Sequence, residues 1–312
     1  MNKKTKGIHH ITAIVGNPQE NIDFYAGVLG LRLVKQTVNF DDPGTYHLYF
    51  GDEQGRPGTI ITFFPWDGAH QGRIGGGQVG TTAYAVPQGS LSFWEERLNA
   101  FHIPFNKSER FGETYLQFND PHGLQLELVE RGVAKANQWG FGNVTGDVAI
   151  QGFAGATLLS ASPELTAQLL EEVMGLERTG NEGDITRFIS TAEIGNVIDL
   201  KTEAVPRGRM GAGTVHHIAW RADDDHDQHA WKEHLEKNRY PVTPVQDRNY
   251  FNAIYFREHG DILFEIATDP PGFTIDESLE ELGQTLKLPA QYESHREQIE
   301  RVLLPIEVRK LD

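Results

Sequence analysis

The sequence predicts an α+β protein built from four βαβββ modules that form two eight-stranded curved sheets. Three observations carry that expectation. A strand-helix-strand-strand-strand order recurs four times, small signatures return at matching places in alternate rounds, and 312 residues suffice for about two ordinary domains.

The first module (1–70) opens with the strand GIHHITAIV, followed by a helix in NPQENIDFYAGVLGL and strand-like runs RLVKQTVNF, TYHLYF and GTIITFF. Asn17 is placed to cap the free N–H groups of that helix, with Pro18 at its first position and Glu20 at its third. Ile22, Tyr25 and Leu29 then share one face. The second module (78–132) reads TTAYAVP, a helix from Ser90 through Leu98, then IPFNKSE, ETYLQFN and LQLELVE. In the third (150–204), FAGATLL leads to a helix opened by Ser162 and Pro163 and carrying Leu165, Leu169, Val173 and Leu176. The fourth (211–272) runs through TVHHIAW, a helix near His226 to Lys237, then YPVTPVQD, NAIYFRE and DILFEIA. A charged tail, 273–312, is expected to hold a helix from Gln291 to Leu304 bearing Ile299, Val302 and Leu303. Val28, Gly30 and Leu31 return as Val173, Gly175 and Leu176, whereas Leu98, Pro104, His122 and Gly123 return as Leu235, Pro241, His259 and Gly260. The rounds therefore alternate in type.

Composition narrows the function. Apolar residues make up 38% and charged residues 23%, and no apolar run approaches the ~18 residues of a membrane span. The basic start MNKKTKG has no apolar stretch behind it, so a cytoplasmic protein is expected. A net charge of −16 repels nucleic acid and anionic membranes alike. With no cysteine, disulfides, thiolate metal sites, iron–sulfur clusters and a cysteine nucleophile are all excluded. Any metal must be held by His, Asp or Glu.

Two histidine doublets occupy equivalent first strands, His9–His10 in module one and His216–His217 in module four. Strand alternation sends one ring of each doublet to the concave face and its neighbour to the other. Glu265 lies among apolar residues in the last strand of module four, a costly place for a carboxylate without a partner or a cation. Two imidazoles and one carboxylate make the facial triad of non-haem Fe(II) oxygenases, which leaves positions open for substrate and dioxygen. The alternative is structural histidines and a Glu265 paired with an arginine. A fourth ligand place, in Gly58 to Phe64, holds no His, Asp or Glu. Glu127 resembles Glu265, but TTAYAV brings no histidine, so a second metal site is not expected.

GIHHITAI, FDDPGTYHLYFGDEQGRPGTIITFFPW, GTVHHIAW and DRNYFNAIYFREHGDILFEIA resemble ring-cleaving dioxygenases of the vicinal oxygen chelate superfamily, in the branch with hydroquinone 1,2-dioxygenases. The resemblance runs from about residue 7 to the C-terminal helix and departs at HGDILFE, where chlorohydroquinone enzymes carry a Gly-Gly turn. It implies His10, His217 and Glu265 as ligands of Fe(II), with Mn(II) as the other candidate metal. It also implies His9 and His216 behind the ligands, with Thr12, Arg248 and Tyr255 lining the pocket. His216, helped by Tyr255, is the expected proton acceptor, and Arg248 the expected stabiliser of an oxyanion. Ligands from modules one and four imply that these pair as the metal-binding domain, leaving modules two and three as a metal-free pair. The implied partners are a small aromatic substrate, dioxygen and further copies of the chain in a homo-oligomer. The rival readings are a metal-dependent thiol transferase of the fosfomycin-resistance kind, usually built from one module pair per chain, and a metal-free protein that sequesters aromatic drugs.

Three other features read as structure. RIGGGQVG (73–80) lacks the ending of a phosphate loop, and DDDHDQH (223–229) fits an acidic helix start. His47 alternates with apolar residues in TYHLYF, and its direction is left open.

Overall fold

The computed structural model describes residues 3–133 and 135–311. Module one supplies β1 (Ile8–Val15), α1 (Pro18–Ile22), β2 (Arg32–Val38), β3 (Tyr46–Gly51) and β4 (Ile60–Pro65). Module two supplies β5 (Gln78–Val86), α2 (Leu91–Ala100), β6 (Phe105–Arg110), β7 (Glu113–Asn119) and β8 (Gln125–Glu130). Module three contributes β9 (Gly152–Leu159), α3 (Pro163–Gln168), β10 (Glu177–Glu182), β11 (Ile185–Ile189) and β12 (Val197–Lys201). Module four contributes β13 (Thr214–Ala222), α4 (Asp225–Lys237), β14 (Gln246–Asp247), β15 (Phe251–Arg257) and β16 (Leu263–Pro271), and α5 (Arg296–Val302) lies in the tail.

These strands form two eight-stranded sheets, ordered β14-β15-β16-β13-β1-β4-β3-β2 and β10-β11-β12-β9-β5-β8-β7-β6. In each, two modules meet along an antiparallel seam, β1 with β13 and β5 with β9. The helices cover the sheets with Trp94 and Leu98 of α2 and Trp231 and Leu235 of α4, all fully buried. Each such side chain contributes on the order of 1.5–3 kcal/mol through the apolar area it removes from water. A matched pair of hydrogen bonds ties the sheets together. Tyr25 beyond α1 donates to Asp120 in the β7–β8 turn at 3.1 Å, and Thr166 of α3 donates to Glu258 at the β15–β16 turn at 2.7 Å.

Local chemistry explains most element ends. Asn17 Oδ1 accepts from the N–H groups of Gln19 and Glu20, and Asp224 caps α4 through the Asp227 N–H. In HGDILFE, Asp261 adopts φ +72°, the left-handed conformation that favours glycine, and the Glu258 carboxylate accepts from the N–H groups of Gly260 and Ile262. The first part of RIGGGQVG is a connection whose backbone pairs with the 207–209 segment, and Gln78–Gly80 open β5.

Several expectations need correction. α1 and α3 continue as π-helical stretches over Asp23–Val28 and Leu169–Val173, so the buried face rotates and Leu165 is left 43% exposed. In YPVTPVQD only Gln246–Asp247 pairs as strand, because Pro241 and Pro244 have no N–H to give. The tail helix begins as a 3-10 turn over Ala290–His295, and of its apolar residues Val302 faces solvent.

Candidate metal centre

The seam between β1 and β13 does not alternate cleanly. Ile8 pairs with Trp220 and His10 with Ala219, so His9 is an extra residue on β1. Thr12 pairs with His217 and Ala13 with Val215, so His216 is an extra residue on β13. Each is a β-bulge, and a bulge breaks the rule that neighbouring side chains point to opposite faces. The two rings of each doublet therefore stay in contact, although His9 and His10 open on different cavities while His216 and His217 share one. Nδ1 of His9 lies 2.9 Å from Nδ1 of His10, and Nδ1 of His216 lies 2.8 Å from that of His217.

These contacts determine where the protons sit. Nε2 of His9 lies 3.1 Å from the Thr268 carbonyl oxygen, which can only accept, so His9 carries its proton there. Burial and the neighbouring His10 hold the His9 pKa well below the ordinary value, so the ring is neutral and its Nδ1 accepts from His10 Nδ1–H. Nε2 of His10 is then a bare lone pair. It lies 3.2 Å from Nε2 of His217 and 3.5 Å from Oε2 of Glu265, and His217 Nε2 lies 2.9 Å from the same oxygen. Glu265 is 0% exposed, yet neither of its oxygens has a hydrogen-bond partner. A buried carboxylate facing the His10 lone pair, with His217 Nε2 as its nearest polar neighbour, is expensive unless a cation sits among them. The three donor atoms lie within 4.8 Å of one another, and this donor set fits a divalent metal such as Fe(II), Mn(II) or Zn(II).

The seam relates modules one and four by an approximate twofold that superposes His10 on His217 and His9 on His216. Glu265 pairs with Ala219, two residues past His217, and Thr62 pairs with Thr12, two residues past His10. Thr62 thus stands where a second carboxylate would complete four protein ligands. By the same relation Tyr49, beside Thr62, corresponds to Tyr255, beside Glu265.

A cavity of about 570 Å³ opens over the three donors, and Thr12, His216, Arg248 and Tyr255 line it. His9 does not: it lies behind His10 and lines a separate cavity with Arg56 and Asp269. Phe40, Phe64, Trp66 and Phe251 give the main cavity aromatic walls. Arg248 reaches Gln246 Oε1 at 2.5 Å and the Tyr255 hydroxyl at 3.4 Å, with Asp41 at 3.9 Å. Burial, followed by the Glu265 charge, raises the Tyr255 pKa, so its phenol stays protonated. His47, whose direction the sequence left open, lines the cavity with Tyr49. The β3–β4 register that decides this is invisible in a single strand.

The sequence matches the Glyoxalase/Bleomycin resistance protein/Dioxygenase superfamily over residues 7–128 and 152–276. The chain belongs to that superfamily. A Bacillus subtilis (strain 168) protein named as a ring-cleaving dioxygenase, MhqO, is 70% identical over 312 residues, 100% of each chain. A chlorohydroquinone/hydroquinone 1,2-dioxygenase of Sphingobium indicum is 34% identical over 311 residues, covering 96% of this chain and 97% of that one. A crystal structure of a Bacillus subtilis protein described as a dioxygenase superposes with a TM-score of 0.98 at 70% identity, covering 99% of this chain and 100% of the other.

As the superfamily's repeated module would suggest, the second sheet carries the same frame with different contents. Its seam has bulges at Gly80 and Ala154, matching His216 and His9, while Thr81 and Gly155 match His217 and His10. A side chain at Gly155 would overlap the Val197 carbonyl oxygen, so no histidine fits there. Glu127 pairs with Ala83 as Glu265 pairs with Ala219, but its carboxylate is gripped by Arg110 at 2.9 and 2.6 Å. Arg187 binds Asp199 and Glu113, and Arg131 also binds Glu113, so three guanidinium groups balance three carboxylates. The arginine pairing considered for Glu265 is the one Glu127 has.

Proposed function

We propose that the chain is a ring-cleaving dioxygenase that holds Fe(II) on His10, His217 and Glu265 and opens a hydroquinone or catechol-like aromatic with dioxygen. The observation that carries this reading is the one-sided donor set: two imidazoles and one carboxylate converge, and Thr62 leaves the fourth place without a ligand. Sheet one, from modules one and four, is the metal-bearing domain in this reading, and sheet two the metal-free one. The homology to proteins named as ring-cleaving dioxygenases supports it.

When bound, iron supplies a template and an electron path between a phenolate and dioxygen. The rest falls to side chains. His9, anchored on the Thr268 carbonyl, fixes the ring of His10 and keeps its Nε2 free to bind metal. When His217 ligates through Nε2, its Nδ1–H donates to His216, and His216 then presents Nε2–H to the cavity. That makes His216 a hydrogen-bond donor to a substrate oxygen, in place of the proton acceptor expected from the sequence. Its pKa, lowered to about 3 by burial and by His217, keeps the ring neutral. Tyr255 O–H and Arg248 add a neutral and a charged donor at the same wall. Phe40, Phe64, Trp66 and Phe251 exclude water and hold a flat ring.

Anaerobic loading with Fe(II), followed by oxygen-electrode measurements with hydroquinones and catechols, tests the reading. The expected result is uptake of one dioxygen per ring consumed, lost in Glu265→Gln. Uptake no greater than that of Glu265→Gln would overturn it, and Mn(II) loading in the same assay shows which metal supports turnover.

A further inference from the structure

Four side chains on three adjacent strands of sheet one form a continuous hydrogen-bonded chain. The Tyr49 hydroxyl lies 2.9 Å from His47 Nδ1, His47 Nε2 lies 2.7 Å from Thr62 Oγ1, and Thr62 Oγ1 lies 3.1 Å from Thr12 Oγ1. Tyr49, Thr62 and Thr12 are each 0% exposed and His47 is also buried. The chain starts at the cavity wall, where the Tyr49 ring packs on Phe273 and Tyr250. It ends at Thr12, which pairs directly with His217 across the seam and lines the cavity.

The chemistry of its first member gives this chain a direction. A buried phenol must donate its proton, and among the described residues the Tyr49 hydroxyl has one hydrogen-bond partner, His47 Nδ1. Burial raises the Tyr49 pKa well above the ordinary value, so the proton stays in place. If His47 Nδ1 were the donor, that phenolic proton would be buried without an acceptor. Nδ1 therefore accepts, and the neutral ring carries its proton on Nε2, which donates to Thr62. Thr62, with its oxygen accepting from His47, can give its own proton to Thr12. The remaining hydroxyl hydrogen, that of Thr12, is left to face the cavity.

We propose that Tyr49, His47 and Thr62 are positioning residues that make the Thr12 hydroxyl a standing hydrogen-bond donor on the side of the metal place left without a carboxylate. There it would meet the oxyanion of a bound phenolate. The approximate twofold gives this a simple form: where one half of the cup offers the carboxylate of Glu265 to the cation, the other offers a directed hydroxyl to the anion. The donor's use rests on the proposed function, but its direction does not, because it is a property of the metal-free protein.

Two measurements test the proposal separately from oxygen chemistry. Long-range 1H–15N correlation of the metal-free protein reports the His47 tautomer, and the expected form carries its proton on Nε2. A proton found on Nδ1 would overturn the direction of the chain. Zn(II)-loaded protein is then titrated with 4-nitrophenol, whose absorbance reports ionisation on binding. Thr62→Val, which keeps the shape and loses the hydroxyl, is expected to weaken phenolate binding roughly tenfold, as loss of a hydrogen bond to a charged group does. Thr62→Ser is expected to restore it, and Thr12→Val is expected to show the same loss without adding to that of Thr62→Val. Co(II) affinity measured on each variant should match the wild type, which separates a positioning effect from a misfolded cup. Phenolate affinity unchanged in Thr62→Val, or lost together with Co(II) affinity in both Thr62→Val and Thr62→Ser, would overturn the proposal. Should these results hold while no ring is cleaved, the chain stands and the dioxygenase reading falls.

Discussion

At the centre of the first sheet, Glu265 faces two imidazoles and accepts no hydrogen bond, whereas at the matching place in the second sheet Glu127 is held by both terminal nitrogens of Arg110. Both carboxylates are buried on equivalent strands beside equivalent seams, and each seam carries its bulges at the same two places. The backbone plan thus sets where a charge can be buried, and the neighbours decide what neutralises it. In the proposed reading, the counter-charge of one cup is a metal ion taken from solution. In the other it is built into the chain, and the close approach of Gly155 to Val197 denies the space a ligand histidine would need.

The sharpest way to break this comparison is to remove the built-in cation. Arg110→Met leaves Glu127 buried with its charge uncompensated, and urea unfolding should show a loss of about 3–5 kcal/mol. Arg110→Met combined with Glu127→Leu should regain most of it. A single substitution as mild as an ordinary surface change would mean that the network does not neutralise Glu127.

A smaller effect sharpens the other side. His9→Phe removes the group that fixes His10, and Co(II) affinity should fall roughly 10–100-fold, the usual loss when an outer partner of a ligand is removed. The fold should be retained, and titration calorimetry checks both points. The matching change in the second cup, Ala154→Ser, should leave Co(II) affinity as it was.

The smallest expected effect is a pH dependence. Hydrogen bonds from Arg131, Tyr115 and Arg187 overcome burial and lower the Glu113 pKa to about 2 from an unfolded value near 4.5. A carboxylate lowered on folding stabilises above its unfolded pKa, and that contribution is lost as pH falls through the folded one. The stability gap between wild type and Glu113→Gln should therefore be full near neutral pH and close between about pH 4.5 and 2. Because Glu113 is a quarter exposed, the gap should be modest. A gap that widens on acidification would contradict the assigned pairing.

The fourfold repeat and both sheets could be read from the chain because each module announces itself locally, through a capped helix and strands of recognisable period. The doublets and Glu265 stood out as a group for a similar reason, since each sits in an equivalent strand among apolar residues. The bulges could not be read, because a period-two pattern looks the same with or without one inserted residue, and so the contact within each doublet was missed. His47 and Thr62 stayed hidden because their direction depends on the register of β3 against β4. The pairing of Glu127 depends on Arg110, which comes from a different strand and is marked by nothing in its own sequence. The exposure of Leu165 is not legible because the change of pitch at Leu169 leaves no mark in the spacing of the apolar residues.

The seam between β1 and β13 also bears on the order of events during synthesis. The strand bearing His10 leaves the ribosome early, whereas its partners His217 and Glu265 emerge only when most of the polypeptide has been made. Until then β1 has no β13 to pair with, and its two histidines cannot bind a cation with the geometry of the finished cup. In the proposed reading, metal capture is thus a late step that follows closure of contacts between distant parts of the chain, which are slow to form. A nascent chain stalled before residue 265 consequently lacks the carboxylate of the proposed metal centre.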